Sequence, residues 1–120
     1  MSVEESQTVV KVGMVIHPVK NLASAAAFYA DGLGLRQLFR DGDRFCSFDA
    51  GGVTVALAAG DEAVADATAV SYKVADLDAA IRYLVDSGAD LLRGPEEGPH
   101  ENRAVLRDPA GNPLILYTEK

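Results

Sequence analysis

This chain contains the same pattern twice, and the repetition constrains its fold more than any other feature. Residues 12–34, VGMVIHPVKNLASAAAFYADGLG, align at one constant offset with residues 67–89, ATAVSYKVADLDAAIRYLVDSGA. Val19 meets Val74, Leu22 meets Leu77, Ala25 meets Ala80 and Asp31 meets Asp86. A repeat of this kind signals one supersecondary unit built twice.

Each copy opens with an extended segment, 12–19 or 67–74, whose Val and Ile content suits a pleated strand. A residue able to cap a helix follows, Asn21 or Asp76. Apolar residues then recur at helical spacing: Leu22, Ala25, Ala26 and Tyr29 in the first copy, Leu77, Ala80, Ile81 and Leu84 in the second. Gly32 or Gly34 ends the first predicted helix and Gly88 the second, because glycine accepts the left-handed cap conformation without steric cost. Farther on, RFCSFDAGGVTVAL (44–57) parallels RAVLRDPAGNPLILY (103–117), with one residue inserted in the second turn. Both read as hairpins, closed by the turn residues at 49–52 and 108–112. A further strand over 35–40, with a counterpart near 89–93, completes each unit.

The expected fold is therefore α+β. Two tandem βαβββ units, at about 12–57 and 69–118, are joined by the Ala/Asp-rich linker 58–68 in a single domain. One helix covers only one face of a unit's sheet, so the other face must be buried by the second unit, a second chain or a ligand. The eight strands are expected to form a curved mixed sheet, a partly closed barrel whose concave face makes a pocket.

Composition narrows the function. The 120 residues suffice for one core and are few for two independent domains. A formal net charge of −7 disfavours a nucleic-acid partner and is compatible with a cationic ligand, although solubility alone also explains it. Cys46 is the only cysteine, which excludes an intrachain disulfide and a thiolate zinc cluster within one chain. No neighbouring His or basic helix start activates its thiol, so it reads as a small buried apolar residue. No apolar run is long enough to span a bilayer, and residues 1–7 are acidic rather than basic, so no membrane partner and a cytoplasmic location are expected. Neither a Ser-His-Asp constellation, a phosphate-binding glycine loop nor a CxxC motif is visible.

Two stretches, VKNLASAAAFYADGLGL (19–35) and DPAGNPLILY (108–117), resemble the vicinal oxygen chelate superfamily of glyoxalases, bleomycin-resistance proteins and extradiol dioxygenases. The first is similar to its V-x-D-L…FY…LG pattern and the second to its DP-x-GN-x-IEL ending, and the resemblance runs from about Val12 to Thr118. Enzymes of that superfamily hold a divalent metal through His, Gln or Glu side chains from the first and last strand of each unit. By this resemblance those positions fall at Met14, Val55, Ala69 and Ile115, none of which offers an imidazole or carboxylate. Hard divalent metals take oxygen or nitrogen donors, so the usual metal centre is expected to be absent, and no cofactor is expected.

Strand alternation nominates the residues that would meet a ligand. Met14 and Ile16, Val55 and Leu57, Ser71 and Lys73, and Ile115 and Tyr117 are expected on the concave face, with Phe45 as a further contact. His17 lies three residues from Met14 and is expected on the helix side, or at an irregular strand end before Pro18 where it would touch a ligand. His100 lies in GPEEGPHENR (94–103), read as a surface loop in which Glu96, Glu97, His100 and Glu101 can form a polar lid. Tyr29 is expected in the core, and Tyr83, off its helix's apolar stripe, at the surface.

The favoured function is metal-independent binding: sequestration of a hydrophobic or cationic organic small molecule, such as an antibiotic, by a homodimer similar to the bleomycin-resistance proteins. No catalytic residue is assigned under that reading. The alternative is a metal-dependent lyase, isomerase or dioxygenase with displaced ligands such as His17 and His100. A third is an interaction module in which a partner chain fills the open sheet face.

Overall fold

The computed structural model describes residues 8–120, and the acidic stretch 1–7 lies outside them. The expected order of elements occurs twice. First come β1 (Val9–Pro18), α1 (Leu22–Ala27), β2 (Arg36–Asp41), β3 (Phe45–Asp49) and β4 (Thr54–Ala58). Then follow β5 (Ala69–Val74), α2 (Leu77–Asp86), β6 (Asp90–Glu97), β7 (Glu101–Arg107) and β8 (Pro113–Glu119), after a linker that contains a short 3-10 turn at Gly60–Glu62. The α+β fold of two βαβββ repeats is the one read from the sequence.

Both helices start where their caps allow. The Asn21 side chain accepts from Ser24 N at 3.0 Å, and the Asp76 side chain accepts from Ala79 N at 3.0 Å, so each satisfies one backbone donor the helix cannot. They end differently. α1 widens into a π-helical turn, Phe28–Gly32, before the chain reverses at Gly34 (φ 72°). α2 keeps α geometry to Asp86 and reverses at Gly88 (φ 112°).

The chain forms two compact units. The N-terminal unit comprises residues 14–69, with strands in the order β2-β3-β4-β1, of which β1 and β4 are parallel and the other pairs antiparallel. Its core packs Leu22 and Ala26 of α1 against Cys46, Phe48 and Leu57, with Tyr29 partly buried beside them. The C-terminal unit comprises residues 70–120 together with the start of β1, and runs β5-β8-β7-β6 with β5 and β8 parallel. Ala80 and Ile81 of α2 pack there against Val74, Ala104, Leu106 and Leu116, and Val9 joins them. Tyr83, outside that stripe, is exposed.

The stretch 94–103, expected as a loop, is mostly strand. β6 continues to Glu97 and β7 begins at Glu101. Gly94 at φ 89° and two register shifts bend β6 without ending it. Glu96 then bridges Arg93 at 2.7 Å and Arg103 at 3.4 Å, which ties the polar segment to its partner strand. The expected lid shrinks to residues 98–100, where His100 is exposed.

Candidate functional site

In the N-terminal unit, cross-strand register decides which side chains meet the helix. Cys46 stands opposite Leu57 and Phe48 opposite Val55, while Val15 and His17 stand opposite Val55 and Leu57. All share the face that α1 covers. Val55 and Leu57, expected to line the concave face, therefore point the other way, and Leu57 is fully buried in the helix-side core. A one-residue slip in the repeat alignment causes the error, since it transfers a strand's whole side-chain set to the opposite face. The sequence repeat aligns Arg44 with Arg103, but Arg44 belongs to the turn, bonding Asp41 at 2.7 Å, and Phe45 takes the strand position equivalent to Arg103. The N-terminal counterpart of Ile115 is thus Ala56: Ile16 pairs with Ala56 as Ser71 pairs with Ile115.

His17 is on the helix side, as strand alternation from Met14 requires. Its ring stacks on Tyr29 at 5.9 Å and 27°, Tyr29 stacks in turn on Phe48 at 6.1 Å and 28°, and His17 Nδ1 lies 2.6 Å from Thr68 Oγ1. The imidazole is thereby held as one layer of an aromatic stack. The face turned away from α1 carries Ile16, Pro18, Ala56, Ala58 and Phe45, by the same register. Met14 shares parity with Ile16, and Phe45 meets Phe39 at 6.2 Å. The middle of this face is apolar apart from Ser47, and charged side chains, Asp41 and the Arg36–Asp49 pair, stand towards its β2 side.

In the C-terminal unit, the face turned away from α2 sets a polar row beside one with an apolar middle. One row across all four strands reads Ser71, Ile115, Val105, Arg93, and the next reads Lys73, Tyr117, Arg103, Glu96. Lys73 Nζ contacts Glu119 at 2.8 Å, and Arg103, only 6 % exposed, contacts Glu96 at 3.4 Å and Glu101 at 3.3 Å. Burial works against ionisation of Glu96, yet the hydrogen bonds and charges of Arg93 and Arg103 hold its carboxyl below the ordinary range. The hydrogen bond from Lys73 likewise lowers the Glu119 carboxyl. Burial pushes the Tyr117 phenol up, and Glu119 and Glu101 add to this against the opposing charge of Lys73, so Tyr117 stays a neutral donor.

Of the ten nominated residues, Leu57, Ser71 and Ile115 are buried, His100 is exposed, and Met14, Ile16, His17, Phe45, Val55 and Tyr117 are half-buried. Sequence reasoning missed Arg103 and Gly13. Arg103 alternates with the buried Val105, which was a visible sign of a charged residue on an interior face. Nothing in the sequence marks Gly13, yet a Cβ there would lie 2.6 Å from Tyr117 Oη and 2.7 Å from Ser71 Oγ.

The sequence matches the glyoxalase-like domain family over residues 13–117, nearly the whole chain. This chain belongs to the glyoxalase-like domain family. The match agrees with the superfamily that its motifs resemble. A protein of Mycolicibacterium smegmatis that carries no functional name is 38% identical over 109 residues, which cover 90% of this chain and 93% of the relative. Methylmalonyl-CoA epimerase from Mycobacterium tuberculosis superposes with a TM-score of 0.72 at 19% identity, covering 96% of this chain and 91% of that one. A glyoxalase/bleomycin resistance protein/dioxygenase superfamily member from Vibrio splendidus 12B01 gives 0.68 at 14% identity, covering 88% and 97%. At such identities the structural matches speak for the fold alone.

The divalent metal of the superfamily's enzymes does not fit the side chains present. With the register corrected, its four positions carry Met14, Ala56, Ala69 and Ile115, which supply one thioether and no imidazole or carboxylate. Among the described residues, no group of three His, Cys, Asp or Glu side chains is placed to hold a metal ion. Cys46 is buried, and burial pushes its thiol pKa up, which disfavours the thiolate that a nucleophile or metal ligand needs. Among the described residues, no helix is long and apolar enough to cross a membrane.

Proposed function

We propose that this glyoxalase-like protein binds and sequesters a largely apolar organic small molecule, of the kind represented by antibiotics and other natural products, without a metal. The observation that carries the reading is the chemistry of the four superfamily ligand positions: Met14, Ala56, Ala69 and Ile115 cannot supply the donors a hard cation needs. The apolar part of the face holding Ile16, Phe45 and Phe39 in the N-terminal unit suits an aromatic or aliphatic body. The net charge of −7 favours cationic over anionic ligands at long range.

A homodimer is part of this proposal. Leu38 and Phe39 on β2, and Leu91 and Leu92 on β6, are large apolar side chains left exposed on strands that end their unit's order. Sedimentation at micromolar concentration is expected to give the mass of two chains, and a monomer throughout would remove this part of the proposal.

The test of binding is a thermal-shift screen of a natural-product collection. A ligand at about 100 times its Kd adds about 2.7 kcal/mol, a rise in Tm of roughly 10 °C for a chain of this size. A collection in which no organic compound raises Tm contradicts the reading. A requirement for added divalent metal before any compound binds would favour the displaced-ligand enzyme instead.

A further inference from the structure

The two units are repeats, yet one matching row of their sheets differs in chemistry. In the N-terminal unit the row reads Pro18, Ala58, Phe45, Asp41 across β1, β4, β3 and β2. In the C-terminal unit the equivalent row reads Lys73, Tyr117, Arg103, Glu96 across β5, β8, β7 and β6. Three apolar positions have become an ammonium, a phenol and a guanidinium. Sheet packing does not require this exchange, because the N-terminal unit builds the same strands without it.

Tyr117 at the middle of the row is held in place. Its Cε1 and Oη both lie 2.6 Å from the point where a Cβ on Gly13 would stand, so the ring sits directly over the β1 backbone. Ser71 Oγ lies 2.7 Å from the same point and is itself buried. The phenol is half-buried, and its hydroxyl is neutral and able to donate.

The ion-paired charges around it balance three against three, and Lys11 adds a further positive charge that acts on Glu119. Lys73, Arg93 and Arg103 stand against Glu96, Glu101 and Glu119, each in an ion pair within the row or beside it. A free carboxylate, phosphate or ammonium would therefore have to displace an existing partner, whereas an uncharged acceptor would not. We infer that Tyr117 is the polar anchor of the ligand, donating its phenolic hydrogen to an uncharged carbonyl oxygen on an otherwise apolar molecule, with Ser71 and Gly13 as positioning residues. This deepens the binding reading above and rests on it.

The experiment titrates four small probes into isotopically labelled wild-type protein and its Tyr117→Phe variant, read by amide chemical shifts. Ethylbenzene, acetophenone, phenylacetate and phenethylammonium share an aromatic body and differ in the polar group. Tyr117→Phe is expected to weaken acetophenone by about tenfold, the worth of one hydrogen bond, and to leave ethylbenzene within about twofold. An equal change for both probes, or no change for acetophenone, overturns the anchor. A larger loss for phenylacetate or phenethylammonium overturns its preference for an uncharged group. Retained binding of ethylbenzene to both proteins, without a carbonyl effect, sinks the anchor and leaves the binding function standing. Failure of every probe to bind wild-type protein at millimolar concentration overturns both.

Discussion

At the scale of single residues, Gly13 and Ile115 show how closely space and polarity are set. The need for glycine at 13 is spatial, because an alanine Cβ would press on Tyr117 and Ser71 at 2.6–2.7 Å. Gly13→Ala is expected to lower stability by about 1–3 kcal/mol in urea unfolding, and an unchanged midpoint would show that the tyrosine yields without cost. Ile115 is 4 % exposed at the position where the superfamily's enzymes place a glutamate on their metal. Without a compensating cation, Ile115→Glu buries a bare carboxyl and is expected to cost about 3 kcal/mol or more at neutral pH. A variant as stable as wild type, holding a stoichiometric metal ion, would mean that the remaining donors have been misjudged. Neither position was legible as such: alternation put Ile115 on the right face, but close backbone approach leaves no trace in a single sequence.

At the scale of elements, caps and turns carry local free energy that can be measured. Asn21→Ala and Asp76→Ala each remove an acceptor from a helix start and are expected to cost about 1 kcal/mol apiece. The hairpin carboxylates respond to acid. Backbone N–H donors, Gly51 foremost for Asp49 and Asn112 foremost for Asp108, hold both carboxyls below their ordinary range. A folded-state pKa below the unfolded one gives stability that is full above the unfolded value, about 3.9, and lost as pH falls through the folded one. Asp108→Asn is therefore expected to flatten the acid limb of a stability-pH curve, while an unchanged limb would remove this role. Helix starts, hairpin turns and the repeated order of elements were legible because each depends on local chemistry near the residue that signals it. Strand register was not. It depends on which residues the turns consume, and matching Arg44 to Arg103 by identity moved Val55 and Leu57 to the wrong face. The Gly/Pro-rich look of 94–103 misled similarly, since bulges and the Glu96 ion pairs let β6 continue through it.

At the scale of the whole molecule, the glyoxalase-like fold carries Met14, Ala56, Ala69 and Ile115 at the positions where the enzymes it resembles place metal donors. Superfamily and fold were legible because two motifs and a repeat span nearly the whole chain. The polar row at Tyr117 was not, because its members come from four strands far apart in sequence. Family membership leaves the ligand open, since one fold hosts many chemistries. The most direct measurement of the central claim is native mass spectrometry of the purified protein, before and after incubation with manganese, nickel and zinc. The account predicts that every folded species carries the polypeptide mass with no stoichiometric divalent ion. One tightly held ion per chain, lost on replacing His17 or His100, would contradict it and make the chain an enzyme with displaced ligands.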